Sequence, residues 1–154
     1  MSVTATRTRE TVPGVRPDAA YVIARLEEAG AALLALPMTG HSTRMRVQSL
    51  EVVSDWLAYP DADTPIRPGV PSARRISEMD EALAWLGLIP ADRVVLRRIV
   101  GARALVHPVT ERHLFPWRRL ARTVGADYRA VQRWHADGID RIVAGLNRPD
   151  FTIP

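Results

Sequence analysis

The sequence has no cysteine, which excludes disulfide frameworks, thiol nucleophiles and cysteine-bearing zinc or iron–sulfur sites. Lysine is absent as well: all 21 basic residues are arginine, a bias that a GC-rich coding composition produces as readily as chemistry does. No stretch approaches the roughly 18 apolar residues a membrane span needs. The richest, residues 29–36, is only eight long and follows Glu27 and Glu28. Residues 1–10 carry arginine and threonine with no apolar segment behind them, so a secretory signal is not expected, and the expected location is the cytoplasm, in association with the nucleoid. Glycine-rich phosphate loops and serine nucleophile elbows are also missing, which points to a non-enzymatic protein without a cofactor.

What is present suits one globular domain. The chain has 154 residues, 47% of them hydrophobic, enough for a single core. Its formal charge of +4 is unevenly placed. Residues 1–92 hold 9 arginines and 12 acids, whereas 93–148 hold 12 arginines and 4 acids, a net charge of +8. A basic segment of that density attracts polyanions through phosphate charge and counterion release. A solvated arginine face gives the same count, so charge alone does not choose between the two.

Apolar spacing predicts an all-α chain. Pro17-Asp18 opens a helix over 19–36, with Val22, Ile23, Leu26, Ala29 and Leu33 at helical intervals, and Pro37 ends it. A second helix is predicted over 47–59, with Leu50, Val53, Trp56 and Leu57 on one face. Prolines between residues 60 and 71 forbid a regular element there and make an extended linker. Further helices are predicted over 72–88, with Ile76, Met79, Leu83 and Leu86, and over 91–104, with Val94, Val95, Leu96, Ile99 and Val100. No alternating strand or internal repeat is evident. The expected organisation is a flexible arm (1–16), an N-terminal helical pair (17–59), a linker (60–71), a DNA-binding domain (72–148) and a tail (149–154).

The segment from Trp117 to Ala136 has the grammar of a helix-turn-helix. Ala121 suits a tight helix crossing, and Leu120 and Val124 face inward. Gly125 supplies the left-handed turn, and Asp127 caps the next helix. Val131 and Trp134 are expected to point back into the core, followed by Ile139, Ile142 and Leu146. Tyr128, Arg129, Gln132 and Arg133 then face outward near the start of the second helix. Arginine can grip guanine O6 and N7 with two bonds, and glutamine can grip adenine N6 and N7, so these residues suit base reading. Arg112, Arg118, Arg119 and Arg122 are placed to meet phosphates. A tight helical hairpin with no nucleic-acid role would share the small-residue and glycine pattern. The coincidence of that pattern with the local charge favours double-stranded DNA as the partner.

From about Ile76 to Asn147 the sequence resembles the last, promoter-reading region of bacterial sigma factors (sigma region 4), which implies two helices followed by a helix-turn-helix that ends in a long C-terminal helix. More of the chain, from about Asp18 to Asn147, resembles an uncharacterised helix-turn-helix family of alphaproteobacterial phages, prophages and gene-transfer elements. The residues that carry this are the Leu33–Pro37 helix end, Val52-Val53-Ser54-Asp55, the stretch from Met79 to Leu86, Pro116-Trp117, Leu120-Ala121 and Arg133-Trp134. Between residues 104 and 115 the sequence departs from that pattern, as an insertion would. The resemblance implies transcriptional regulation, with RNA polymerase or a partner regulatory chain as a further partner. It also leaves open a small-terminase-like packaging subunit that forms a homo-oligomer, or a non-specific DNA-binding or protein-interaction module.

Other sites fail on spacing. His107, Glu111 and His113 lack the arrangement of a helical His-Glu-x-x-His pair, so no metal is expected. The acidic face formed by Glu78, Asp80 and Glu81 has no nucleophile or phosphate cradle beside it. Trp56, Trp85 and Trp134 sit at apolar helical positions and read as core. Trp117 could equally plug a hydrophobic gap or lie against a sugar–phosphate strand.

Overall fold

A computed structural model describes residues 16–37 and 69–151. They form five α-helices and one 3-10 turn, and no sheet is present among the described residues. The predicted arm as far as residue 15, the predicted helix over 47–59 with Trp56, and the linker as far as residue 68 lie outside the described residues.

Helix α1 (Ala19–Ala35) starts where the Asp18 carboxylate accepts the Tyr21 N–H at 2.8 Å. That bond satisfies one of the donors that a helix N-terminus leaves without a partner. It stops at Leu36, whose backbone is extended, as the residue before a proline prefers. Val22, Leu26, Ala29 and Leu33 are buried along its inner face. Helix α2 (Ala73–Ala84) opens on Ser72, whose hydroxyl accepts the Arg75 N–H. The sequence predicts one helix over 72–88, but the last turn tightens into the 3-10 turn Trp85–Leu88. Pro90 requires an extended Ile89, and the chain shortens its helix to reach it. Tyr21 packs against Trp85 with ring centroids 6.2 Å apart, so the start of α1 meets the end of α2 and the two run antiparallel.

Helix α3 (Val94–Ala104) begins three residues later than predicted, because Pro90 to Arg93 close a turn first, with the Arg93 N–H donating to the Pro90 carbonyl at 3.0 Å. The Arg97 guanidinium donates through Nε and Nη2 to the Ile89 carbonyl at 2.9 and 2.6 Å, tying the turn to the helix. Leu96, Ile99 and Val100 are buried, whereas Val94 and Val95 are each 45% exposed. Those two belong to the first turn and lie off the stripe that the later three define. Gly30 of α1 lies so close to the end of α3 that a methyl group there would overlap the Ala104 carbonyl oxygen. The crossing therefore needs a residue without a side chain.

Residues 105–114, the segment that departs from the phage-type pattern, form a short hairpin with one isolated bridge, Val106 to His113. The His107 N–H donates to the Arg112 carbonyl at 2.8 Å, and the Leu114 N–H to the Leu105 carbonyl at 2.9 Å. Glu111 takes the left-handed conformation at its tip, with φ 56°. Beyond it come α4 (Trp117–Val124) and α5 (Tyr128–Leu146). The core runs from Val22 and Leu26 through Met79, Ile89, Ile99 and Leu120 to Val131, Ile139 and Ile142, and contains no buried polar or charged residue among the described residues. The far end of α5 returns to the start of α1, where the Asn147 side chain donates to the Pro17 carbonyl at 3.1 Å.

Candidate nucleic-acid interface

The junction of α4 and α5 is built from local rules. Pro116 holds an extended backbone ahead of α4, and its carbonyl accepts the N–H groups of Arg119 and Leu120. Leu120 is fully buried and Ala121 nearly so, while Val124 packs at the edge of the core. Gly125 ends the helix at φ 73°, ψ 35°. Its own N–H and that of Ala126 both donate to the Ala121 carbonyl, at 2.9 and 3.0 Å. This is the left-handed termination that glycine adopts without steric cost. Asp127 then caps α5, its carboxylate accepting the Arg129 N–H at 3.0 Å. The turn between the two helices is three residues long.

Val131 is fully buried, and Ile139 and Ile142 continue its stripe. Trp134 corrects the sequence reading: it is 38% exposed rather than directed into the core. The inward place is taken by His135, one helical turn beyond Val131 and one before Ile139. Gly138 then admits α3 so closely that a Cβ there would lie 2.6 Å from Val100 Cγ2. The sequence reading missed His135, although the i, i+4, i+8 spacing of Val131, His135 and Ile139 signals it. Its ring meets Trp117 edge-on, with centroids 5.1 Å apart, and the Arg103 guanidinium lies 4.3 Å from the Trp117 ring centre. Trp117 therefore plugs the gap between α3, α4 and α5. Burial, and then the charges of Arg103 and His113, lower the His135 pKa to about 4, so the imidazole is neutral at physiological pH. Burial also lowers the Arg103 pKa, with Glu27 acting in the opposite direction.

The outward face carries the four candidate base readers. Tyr128, Arg129, Gln132 and Arg133 are all exposed. With 3.6 residues per turn they span an arc of about 140° at the start of α5. Gln132 and Arg133 make no side-chain hydrogen bond among the described residues, whereas Arg129 Nε donates to the Tyr128 hydroxyl at 3.3 Å. Arg118 and Arg122 on α4, and Arg112 on the hairpin, are exposed. Arg119, also expected to meet phosphates, has partners within the protein. It is half-buried, donates to the Leu114 carbonyl at 3.2 Å and lies over the Phe115 ring, so it fastens the hairpin to α4.

The hairpin histidines have structural partners. His107 Nδ1 accepts the N–H groups of Val109 and Thr110. His113 Nδ1 donates to the Arg103 carbonyl at 2.9 Å, and its Nε2 faces Glu27 at 3.4 Å. Among the described residues no group of three potential ligands could hold a metal ion. Glu78, from the acidic face, accepts Arg74 Nε at 3.0 Å. No described helix is long and apolar enough to cross a membrane.

The described residues form an all-α unit whose last two helices meet at a capped glycine turn beneath a basic, exposed helix face. The chain belongs to the family described as Domain of unknown function (DUF6362), whose model matches residues 35–142. That span encloses the hairpin, α4 and α5 as far as Ile142. No match was found among curated proteins or among solved structures.

Proposed function

We propose that the protein binds duplex DNA in a sequence-dependent way through a helix-turn-helix formed by α4 and α5, and that it regulates transcription. The observation that carries this reading is the exposure of Tyr128, Arg129, Gln132 and Arg133 together at the capped start of α5, beside the exposed arginines of α4. The +8 charge of residues 93–148 supports it, because each neutralised phosphate releases counterions. The order of α2, α3, a short α4, a turn and a long α5 accords with the resemblance to the promoter-reading region of sigma factors. A regulator of phage or gene-transfer-element type, working with polymerase or a partner chain, fits this arrangement.

In this assignment Arg129, Gln132 and Arg133 read base edges, and Arg112, Arg118 and Arg122 hold phosphates. Equilibrium binding over a salt titration tests the division of labour. Arg118→Ala and Arg122→Ala should weaken binding on every duplex and reduce the salt slope by about one unit each. Gln132→Ala should instead relax sequence preference. Equal losses from all three variants on preferred and random duplexes would contradict the assignment.

A further inference from the structure

The first two residues of α5 are not equivalent. Tyr128 and Arg129 both project from its start, but Arg129 Nε donates to the Tyr128 hydroxyl at 3.3 Å, and its guanidinium carbon lies 5.9 Å from the Tyr128 ring centre. The Arg129 backbone N–H is already held by the Asp127 carboxylate at 3.0 Å. Arg129 is thus fixed at two points, one on the main chain and one part-way along the side chain. Nη1 and Nη2 have no partner among the described residues. A guanidinium has five N–H donors in a rigid plane. With Nε engaged, the edge left for a ligand is the terminal pair, Nη1 and Nη2, which can meet two acceptors on one base end-on.

We infer that Tyr128 is a positioning residue rather than a base reader: its hydroxyl braces Arg129 so that the guanidinium presents its terminal edge to a guanine, O6 and N7 being the acceptors. The inference rests on the DNA-binding reading above and makes Tyr128 a determinant of specificity through Arg129. A free arginine side chain loses rotamer entropy when it is fixed on a base. A braced one has lost part of it beforehand, so its contact discriminates more sharply.

Tyr128→Phe keeps the ring and removes only the acceptor. On a preferred duplex and its single base-pair variants, Y128F should reduce discrimination by roughly threefold to tenfold, the range of one modest hydrogen bond. The loss should fall at the same base pair that Arg129→Ala relaxes. Adding Y128F to Arg129→Ala should change nothing further, and the salt slope of Y128F should match the parent's. Relaxation at a different base pair would make Tyr128 a direct reader, and unchanged preference would remove it from recognition; either result overturns the inference. Proton exchange at Arg129 Nε in the DNA-free protein, followed by NMR, provides an independent readout. It should be slower than at Arg118 and Arg122 in the parent and equal to theirs in Y128F. Equal exchange in the parent would overturn the brace. Absence of DNA binding by the parent would defeat the DNA reading alone, leaving the exchange comparison to decide the brace.

Discussion

The two halves of α5 solve different problems. Its second half buries Gly138, Ile139, Ile142 and Gly145. Both glycines sit against neighbouring side chains, with a Cβ on Gly145 placed 3.0 Å from the Leu88 methyl groups. Its first half buries only Val131 completely and leaves Tyr128, Arg129, Gln132 and Arg133 in solvent. Where the second half rests on apolar contact, the first rests on a cap at Asp127, a glycine turn and the mixed junction of Trp117, His135 and Arg103. The contrast shows how one helix can expose a polar face without forfeiting its place in the fold. Anchoring at the far end leaves the near end free to carry chemistry that contributes nothing to the core.

The largest effects should come from the apolar half. Ile142→Ala removes a fully buried side chain and should lower the unfolding free energy by about 2–5 kcal/mol in urea denaturation. Arg133→Ala, on the exposed side of the same helix, should change it by no more than about 0.5 kcal/mol. Comparable losses from both would erase the distinction between the halves.

Next is acid. Burial holds the folded pKa of His135 at about 4, below its ordinary value of 6.5, so between those values the unfolded chain binds the proton that the folded chain refuses. Stability from this group is complete above pH 6.5, falls as the pH drops through that window, and is gone below pH 4. The loss amounts to roughly 3 kcal/mol over that window, at about 1.4 kcal/mol per pH unit. Replacing His135 by Leu should flatten the decline measured between pH 7 and pH 4.5. A variant with the parent's slope would show that the junction does not sense pH through His135.

The turn should respond less. Gly125→Ala forces a side chain into φ 73° and should cost about 1–2 kcal/mol, and Asp127→Ala about 1 kcal/mol through loss of the cap; both can be read from denaturation midpoints. Of the two tryptophans, Trp134 should matter less, Trp134→Ala costing about 1 kcal/mol. Trp85→Ala, at a position 3% exposed, should cost about 3–5 kcal/mol. If the two tryptophans proved equally costly, Trp134 would belong to the core after all.

How much of this could be read from the sequence depended on how local the cause was. Asp18, Gly125 and Asp127 are legible because a cap or a left-handed turn is decided within three or four residues. The buried stripe of α5 is legible at Val131, Ile139 and Ile142 because its period follows from helix geometry. Between them, apolar character misled: Trp134 has the hydrophobicity of a core residue, but His135 has the angle. The late start of α3 and the 3-10 end of α2 follow from Pro90, whose reach a periodicity reading underweights. The role of Arg119 was not legible, because its partners Leu114 and Phe115 belong to a hairpin without a strand pattern.

Sequence reading of duplex DNA by the start of α5 remains the proposal on which the functional reading rests. The direct test is to select bound fragments from sheared genomic DNA at near-physiological salt and sequence them, for the intact protein and for a variant with Arg129, Gln132 and Arg133 changed to alanine. The intact protein should enrich a few sites near promoters, and the variant should lose them. Salt-sensitive binding without enrichment, or the same enriched sites from both proteins, would contradict it.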